Sequence, residues 1–264
     1  MSSLTVVITG ASRGIGKSLA KHFAQRGDQL LLTARNKETL TQTIAELKKE
    51  FSTTVIHGQV ADLSIPDEAR AFGRWCLSFA EPDILINNAS AINLTKTEAT
   101  PAKRFDLMFD VNVRGTFLAS QAAIPHLRKG VNPHILNLSP PLSMKEKWFK
   151  NHVAYTMSKY GMSMCVLGMS GEFKRDGVAV NALWPATAIQ TAALQMIPGI
   201  DTNFCRKPEI MADAAYVILN RDSKSTTGNF FVDEEVLRAE GVTDFDQYSV
   251  VPGTKDLLKD FFLD

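Results

Sequence analysis

The chain has little that would tie it to a polymer, a membrane or a metal. Its 264 residues hold three cysteines, Cys76, Cys165 and Cys205, an odd number with no C-x-x-C pair among them. That argues against a disulfide framework and against a cysteine zinc site, and it fits a reducing compartment. No H-E-x-x-H or other ligating spacing accompanies any of the five histidines, so no metal is expected. Lys and Arg number 29 against 28 Asp and Glu, a formal net charge of +1, and they are scattered rather than clustered. Nucleic acid and anionic membrane surfaces therefore have no electrostatic footprint here. No apolar run is long enough to span a bilayer. The first residues carry no secretory leader, and Phe261-Phe262-Leu263-Asp264 is not a peroxisomal address, so the cytoplasm is the expected location. No Pro/Gly/Ser-rich linker and no internal repeat interrupts residues 1–264, which read as one domain with a small-molecule partner.

What is present is enough apolar sequence to build a sizeable core: hydrophobic residues make up 45% and charged residues 22%. Short β-rich runs alternate with longer helical patterns. Strands are expected at 4–9, 29–33, 54–57, 84–87, 134–138, 178–183 and 229–232. Helices are expected from about Gly16, over 37–50, from Pro66, over a long segment from Pro101 to about Lys129, over 152–174 and over 208–219. Leu40, Ile44 and Leu47 mark the buried stripe of the second helix. This is the pattern of a single-domain, doubly wound Rossmann-type α/β fold with a seven-stranded parallel sheet, whose ligand sits outside the carboxyl ends of the strands. Residues 186–207 lack strand alternation and read as a mobile segment over the site, the expected substrate loop.

The first strand runs into Thr9-Gly10-Ala11-Ser12-Arg13-Gly14-Ile15-Gly16, where a helix begins. The spacing differs from G-x-G-x-x-G but meets the same need, a backbone that approaches a pyrophosphate with helix-end N–H groups facing it. Where an NAD site places an acid after the second strand, this sequence has Ala34-Arg35. Arg35 and Arg13 offer paired donors to a 2′-phosphate, which favours NADP(H) over NAD(H); each could also be an ordinary surface charge.

Tyr155 and Lys159 stand four apart on one face of an expected helix. That spacing alone decides little. Asn112 and Ser139 come from two other elements that reach the same edge of the sheet. Together with Asp62, Asn87-Asn88-Ala89 and Asn181-x-x-x-Pro185, these motifs stand in the order of the short-chain dehydrogenase/reductase family, which the chain resembles over nearly its whole length. Finer stretches, Ser139-Pro140-Pro141-Leu142, Trp148-Phe149-Lys150, residues 160–169 and the run from Asp260 to Asp264, resemble its hydroxysteroid dehydrogenase-like subfamily. Some members of that subfamily carry a sterol-carrier domain, and none is expected in this chain.

The resemblance implies an oxidoreductase that moves a hydride between a nicotinamide and a carbonyl or alcohol. Tyr155 is implied as the proton donor or acceptor, with its phenol pKa lowered by the Lys159 ammonium. Ser139 is implied to hold the substrate oxygen, Lys159 also to bind the cofactor ribose, and Asn112 to support a water relay. Gly10, Ser12, Arg13, Gly14, Ile15, Gly16, Arg35, Asp62 (adenine), Asn88 and Ala89 (ribose), Pro185 and Ile189 (nicotinamide amide) are implied as cofactor contacts. Asp62 could instead cap the next helix and Asn88 satisfy a turn.

The chain departs from the family pattern at Ser90 and Ala186, where glycine is usual, and the stretch after Pro185 is one residue longer, so Ala188 could replace Ile189. Met144, Trp148, Phe149, Trp184 and Met196 suggest an apolar substrate mouth, or core. Met157, Met162, Met164 and Met169 suggest a subunit contact on the Tyr155 helix, or core, and the resemblance implies a homodimer or homotetramer. His152 reads as a surface or capping residue. A non-catalytic dinucleotide-binding scaffold and a sugar epimerase or dehydratase are the competing functions; the latter usually needs a substrate domain, for which little length remains after the seventh strand.

Overall fold

A computed structural model describes residues 3–195, 197 and 199–263; Met196, expected at the mouth, and Asp264 lie outside the described residues. Seven strands form one parallel sheet in the order β3-β2-β1-β4-β5-β6-β7. They are β1 (Thr5–Thr9), β2 (Gln29–Ala34), β3 (Ile56–Val60), β4 (Ile84–Asn87), β5 (His134–Asn137), β6 (Ala179–Trp184) and β7 (Phe230–Val232). All residues of β1, β4, β5 and β6 are buried, as a sheet covered on both faces requires. Alternation divides their side chains. Val6, Ile8, Leu30, Leu32, Ile84 and Ile86 enter one apolar layer, whereas Val7, Leu31, Leu85, Ile135 and Val180 enter the other.

Helices fill those layers because their apolar residues recur at helical spacing. In α1 (Gly14–Gln25) the buried residues are Gly16, Leu19, Ala20, Phe23 and Ala24, a stripe along one face. Helix α2 (Lys37–Glu50) is capped by Asn36, whose side chain accepts the Thr39 N–H at 2.8 Å. Helix α3 (Pro66–Leu77) opens on a proline whose missing N–H costs nothing there. Helix α4 (Ala102–Met108) continues through a π-helical turn, Phe109–Gly115, into α5 (Thr116–Leu127). The single long helix expected from Pro101 is therefore interrupted by wider backbone winding, and buried Asn112 lies inside that interruption. Helices α6 (Val153–Glu172), α7 (Ala192–Gln195), α8 (Glu209–Leu219) and α9 (Asp233–Ala239) complete the set.

Two sequence readings shift. Strand β3 starts at Ile56 rather than Thr54, because the Thr54 hydroxyl donates to Ala24 O at 2.8 Å and holds that residue in the preceding turn. After the seventh strand the chain makes α9, begun by Asp233, Glu234 and Glu235, whose charges suit a helix N-terminus. It then returns across the carboxyl edge of the sheet, where Lys259 bridges Thr187 in antiparallel fashion. Strand order reverses between β1 and β4, so the loops after those strands part there and leave a cleft.

Candidate active site

The cleft begins with the turn after β1. Gly10 and Gly14 have φ of +65° and +53°, values that side chains with a Cβ rarely adopt. A Cβ on Gly16 would stand 2.3 Å from Gly10 O and 2.5 Å from Asn88 Nδ2. Asn88 closes the turn by donating from Nδ2 to Thr9 O (2.9 Å) and Gly10 O (3.0 Å). The Thr9 hydroxyl accepts the N–H groups of Asn88 and Ala89, each at 3.0 Å. This lock between the loops after β1 and β4 depends on Thr9, which the sequence reading quoted in the motif but gave no role. Asn88 thus does what the turn reading foresaw while also lining the cleft.

Helix α1 starts with no side-chain cap and no acid in its first turn. Its free N–H groups and dipole therefore face the cleft ready for an anion. The guanidinium groups of Arg13 and Arg35 border the same space, and neither has a hydrogen bond or ion pair among the described residues. The cavity measures about 750 Å³, within the range of small-molecule and cofactor sites. Of the catalytic and cofactor-binding residues expected, all but Gly16, Asn112 and Ser139 line it; of the residues expected at the mouth Trp184 lines it, whereas Met144, Trp148 and Phe149 do not. Ile189 does so, whereas Ala188 is spent on backbone pairing with Leu258 and Arg206. Asp62 lines it while its Oδ1 accepts the Ser64 N–H (2.9 Å) and hydroxyl (2.7 Å), a turn before α3 rather than the helix cap itself. Residues 186–207 are not without structure: α7 borders the cavity, and Ile189 bridges Arg206.

At the other end α6 presents Tyr155 and Lys159. Lys159 is buried, and its Nζ donates to Leu138 O at 2.6 Å and lies 5.0 Å from the Trp184 ring centre. Beneath it Asn87 Nδ2 donates to Asn137 Oδ1 (2.9 Å), and Asn137 Nδ2 to Met162 O (3.2 Å), so two paired strand asparagines tie the sheet to α6. Asn137 was missed, although a polar residue at the end of an apolar strand was a signal. Asn112 accepts the Ala91 N–H at 2.7 Å and donates to Ala91 O and Ser158 Oγ, both at 2.9 Å. Its side chain is thereby committed to joining the loop after β4 to α6. The Ser139 hydroxyl is fully buried and has no partner.

Electrostatics correct one expectation. Burial pushes the Tyr155 phenol up rather than down, and the charge of Asp260 adds to that push. Burial brings Lys159 down to about 7, with Asp260 pulling the other way. Asp260 itself is raised to about 7 by burial, and it lines the cavity. His152, expected at the surface, is buried against Tyr155 and Phe261, its Nδ1 2.9 Å from Thr156 Oγ1. It stands at the cap position of α6 without capping through its side chain.

A glycine-lined anion cradle and a tyrosine–lysine helix thus open into one cavity at the reversal of a parallel sheet. The family model described as "short chain dehydrogenase" matches residues 4–198. The chain belongs to the short-chain dehydrogenase family. It is 51% identical over its full length to hydroxysteroid dehydrogenase-like protein 2 of Danio rerio, covering 65% of that protein; among such relatives the chain spans between 51% and 65% of their length. A putative dehydrogenase from Xanthomonas campestris superposes with a TM-score of 0.91 at 42% identity, each chain covered completely. A metagenomic short-chain oxidoreductase solved in complex with NADP superposes with a TM-score of 0.74 at 25% identity, over 88% of this chain and 96% of that one.

In this member of the family the residue after the late proline, Ala186, is held from both sides. Its N–H reaches Asp233 Oδ1 at 2.8 Å and its carbonyl accepts the Asp260 N–H at 3.2 Å. Asp233 also accepts the Glu234 N–H at 2.7 Å, while its Oδ2 has no partner. Burial raises its carboxyl from 3.8 to about 7 against the N–H groups of Ala186 and Glu234; the Glu234 charge adds to the rise and Arg206 opposes it. Through that window the native state holds a proton that the unfolded chain has released, so stability falls as pH rises and the loss is complete above about 7. Asp233→Asn keeps the acceptor and removes the titration. Its thermal midpoint is expected to change less than wild type between about pH 5 and about pH 8, and to lie several degrees higher at the upper end. Parallel melting curves for the two proteins at both pH values would assign the pH dependence elsewhere.

Proposed function

We propose that the chain is an NADP(H)-dependent oxidoreductase that interconverts a carbonyl and an alcohol on an apolar, lipid-like substrate. One observation carries the reading: unpaired Arg13 and Arg35 border the same cavity as Tyr155 and Lys159. The cradle suits a dinucleotide, because the glycine turn leaves no room for a Cβ at Gly16 and the helix end lacks an acid. Gly10, Ser12, Gly14 and Ile15 would face the pyrophosphate, Asp62 the adenine, Asn88 and Ala89 the ribose, and Pro185 and Ile189 the nicotinamide. Bound there, the nicotinamide supplies or accepts the hydride.

The chain's own part is the proton. Tyr155 donates it from its hydroxyl to the substrate oxygen, or removes it in the reverse direction. Lys159, one helical turn after Tyr155 on α6, would supply positive charge to that hydroxyl when its ammonium form is kept, which Asp260 favours. Ser139 supplies the second hydrogen bond to the same oxygen. Asn112 holds α6 and the loop after β4 in register, and so keeps the relay side of Lys159 in place. Trp148, Phe149 and Trp184 join an apolar cluster around Tyr155, which supports an apolar substrate; Met144 is 82% exposed and takes no part in it.

The helix methionines divide: Met162 and Met169 are core, whereas Met157, Met164 and neighbouring Leu167 are exposed on α6, as is Phe117 on α5. That uncovered apolar face supports assembly as a homodimer or homotetramer. Among the described residues no helix is long and apolar enough to cross a membrane, and no metal-binding cluster occurs. Three free thiols suit a reducing, cytoplasmic setting.

The test is a fluorescence titration with NADPH and NADH, followed by absorbance across medium-chain aldehydes, ketones and steroids. Tighter NADPH binding with turnover of apolar carbonyls is expected. Binding without turnover on any member would turn the reading to a nucleotide-binding scaffold, and absence of binding would end it.

A further inference from the structure

Residues 258–263 cross the mouth of the catalytic end. Phe262 is buried, with its ring centre 5.3 to 6.2 Å from those of Trp148, His152, Tyr155, Tyr160 and Trp184. It fills an aromatic cup one wall of which is the catalytic tyrosine ring. Its backbone has φ of +71°, and it is the one non-glycine with positive φ among the described residues. A bulky aromatic in that region is strained, and such strain persists only where surrounding contacts impose it. The segment's anchors lie before the ring: Leu258 pairs with Ala188 and Phe204, Asp260 N donates to Ala186 O, and the Trp184 indole donates to Phe261 O at 2.8 Å. Meanwhile the Ser139 hydroxyl is shut from solvent without a partner. A substrate oxygen reaches it only after atoms over it move.

We infer that the cup holding Phe262 is the substrate's apolar subsite, and that Phe262 is a displaceable occupant that an uncharged ring of about its own size replaces. The inference rests on the oxidoreductase reading for what the ring is attached to, a carbonyl or alcohol beside Tyr155. Phenyl and alicyclic ketones fit best, since edge and face contacts with five rings reward a planar or compact apolar group. The strain at Phe262 is released when the ring leaves, which lowers the cost of displacing it.

The experiment titrates 4-phenyl-2-butanol by calorimetry into the protein saturated with NADPH, where the alcohol cannot react. Removing the occupant by Phe262→Ala is expected to tighten binding about tenfold or more, with NADPH affinity unchanged as the check on folding. Phe262→Leu, which keeps bulk in the cup, is expected to tighten it less. If Phe262→Ala no longer binds NADPH, the leucine variant carries the same sign test. Equal or weaker binding of the alcohol in the folded variants, or no binding to any of the proteins, overturns the proposal and makes Phe262 a wall. Kinetics with 4-phenyl-2-butanone separate the two readings: tighter alcohol binding without ketone reduction keeps the cup and removes the oxidoreductase.

Discussion

Tyr155→Phe is expected to lower kcat for carbonyl reduction by about 10³-fold, roughly 4 kcal/mol of barrier, while leaving NADPH affinity within about twofold. The split follows from geometry. The phenol oxygen has no hydrogen-bond partner among the described residues, so its removal breaks nothing in the resting fold. The ring keeps its contacts with His152 and Phe262. Lys159 is the informative contrast: its Nζ holds Leu138 O, and a Lys159→Ala variant would lose fold contacts together with chemistry. Stopped-flow or steady-state absorbance of NADPH, beside a fluorescence titration, measures both halves. A phenylalanine variant that retains more than a tenth of wild-type kcat would give the proton to another group.

Much of this is legible in the sequence, and the reason is physical. Strands buried on both faces are mostly apolar, and glycines at the first turn must accept positive φ, so the sheet and the cradle leave marks in consecutive residues. Tyr155 and Lys159 are legible because one helix carries both. What escaped depends on contacts between distant segments. The pull of Lys159 on Tyr155 was expected to lower the phenol, yet burial depends on what covers the ring, and the cover comes from residues more than a hundred positions later. Asp260 and Phe262 were visible only as part of a resembling run of sequence; nothing local says that the chain crosses back to the catalytic helix. The π-helical turn was hidden for a related reason. Its residues, Phe109–Gly115, include two valines, an asparagine and a glycine, weak helix formers that do not by themselves specify wider winding, and within it Asn112 reaches Ala91 and Ser158.

The charge pattern at the far end of the cavity yields the second large effect. NADP(H) and NAD(H) share a pyrophosphate, so the glycine turn and the uncapped start of α1 should bind both alike. Only the 2′-phosphate distinguishes them, and Arg13 and Arg35 are unpaired cations bordering the cavity where Ala34-Arg35, and not an acid, follows the second strand. A charge-assisted hydrogen bond contributes about 1.5–3 kcal/mol, so Arg35→Ala should weaken NADPH roughly tenfold to a hundredfold and leave NADH unchanged. The Arg13→Ala, Arg35→Ala double variant should bring the two affinities together. Arg35→Asp should go further and reverse the preference, because a carboxylate repels the phosphate and accepts from ribose hydroxyls. Both guanidinium groups are exposed, so wild-type preference for NADPH should also decline with added salt. Fluorescence titrations of both nucleotides decide it. Parallel losses of NADPH and NADH would assign the arginines to the pyrophosphate or the fold, and unchanged affinities would make them ordinary surface charges.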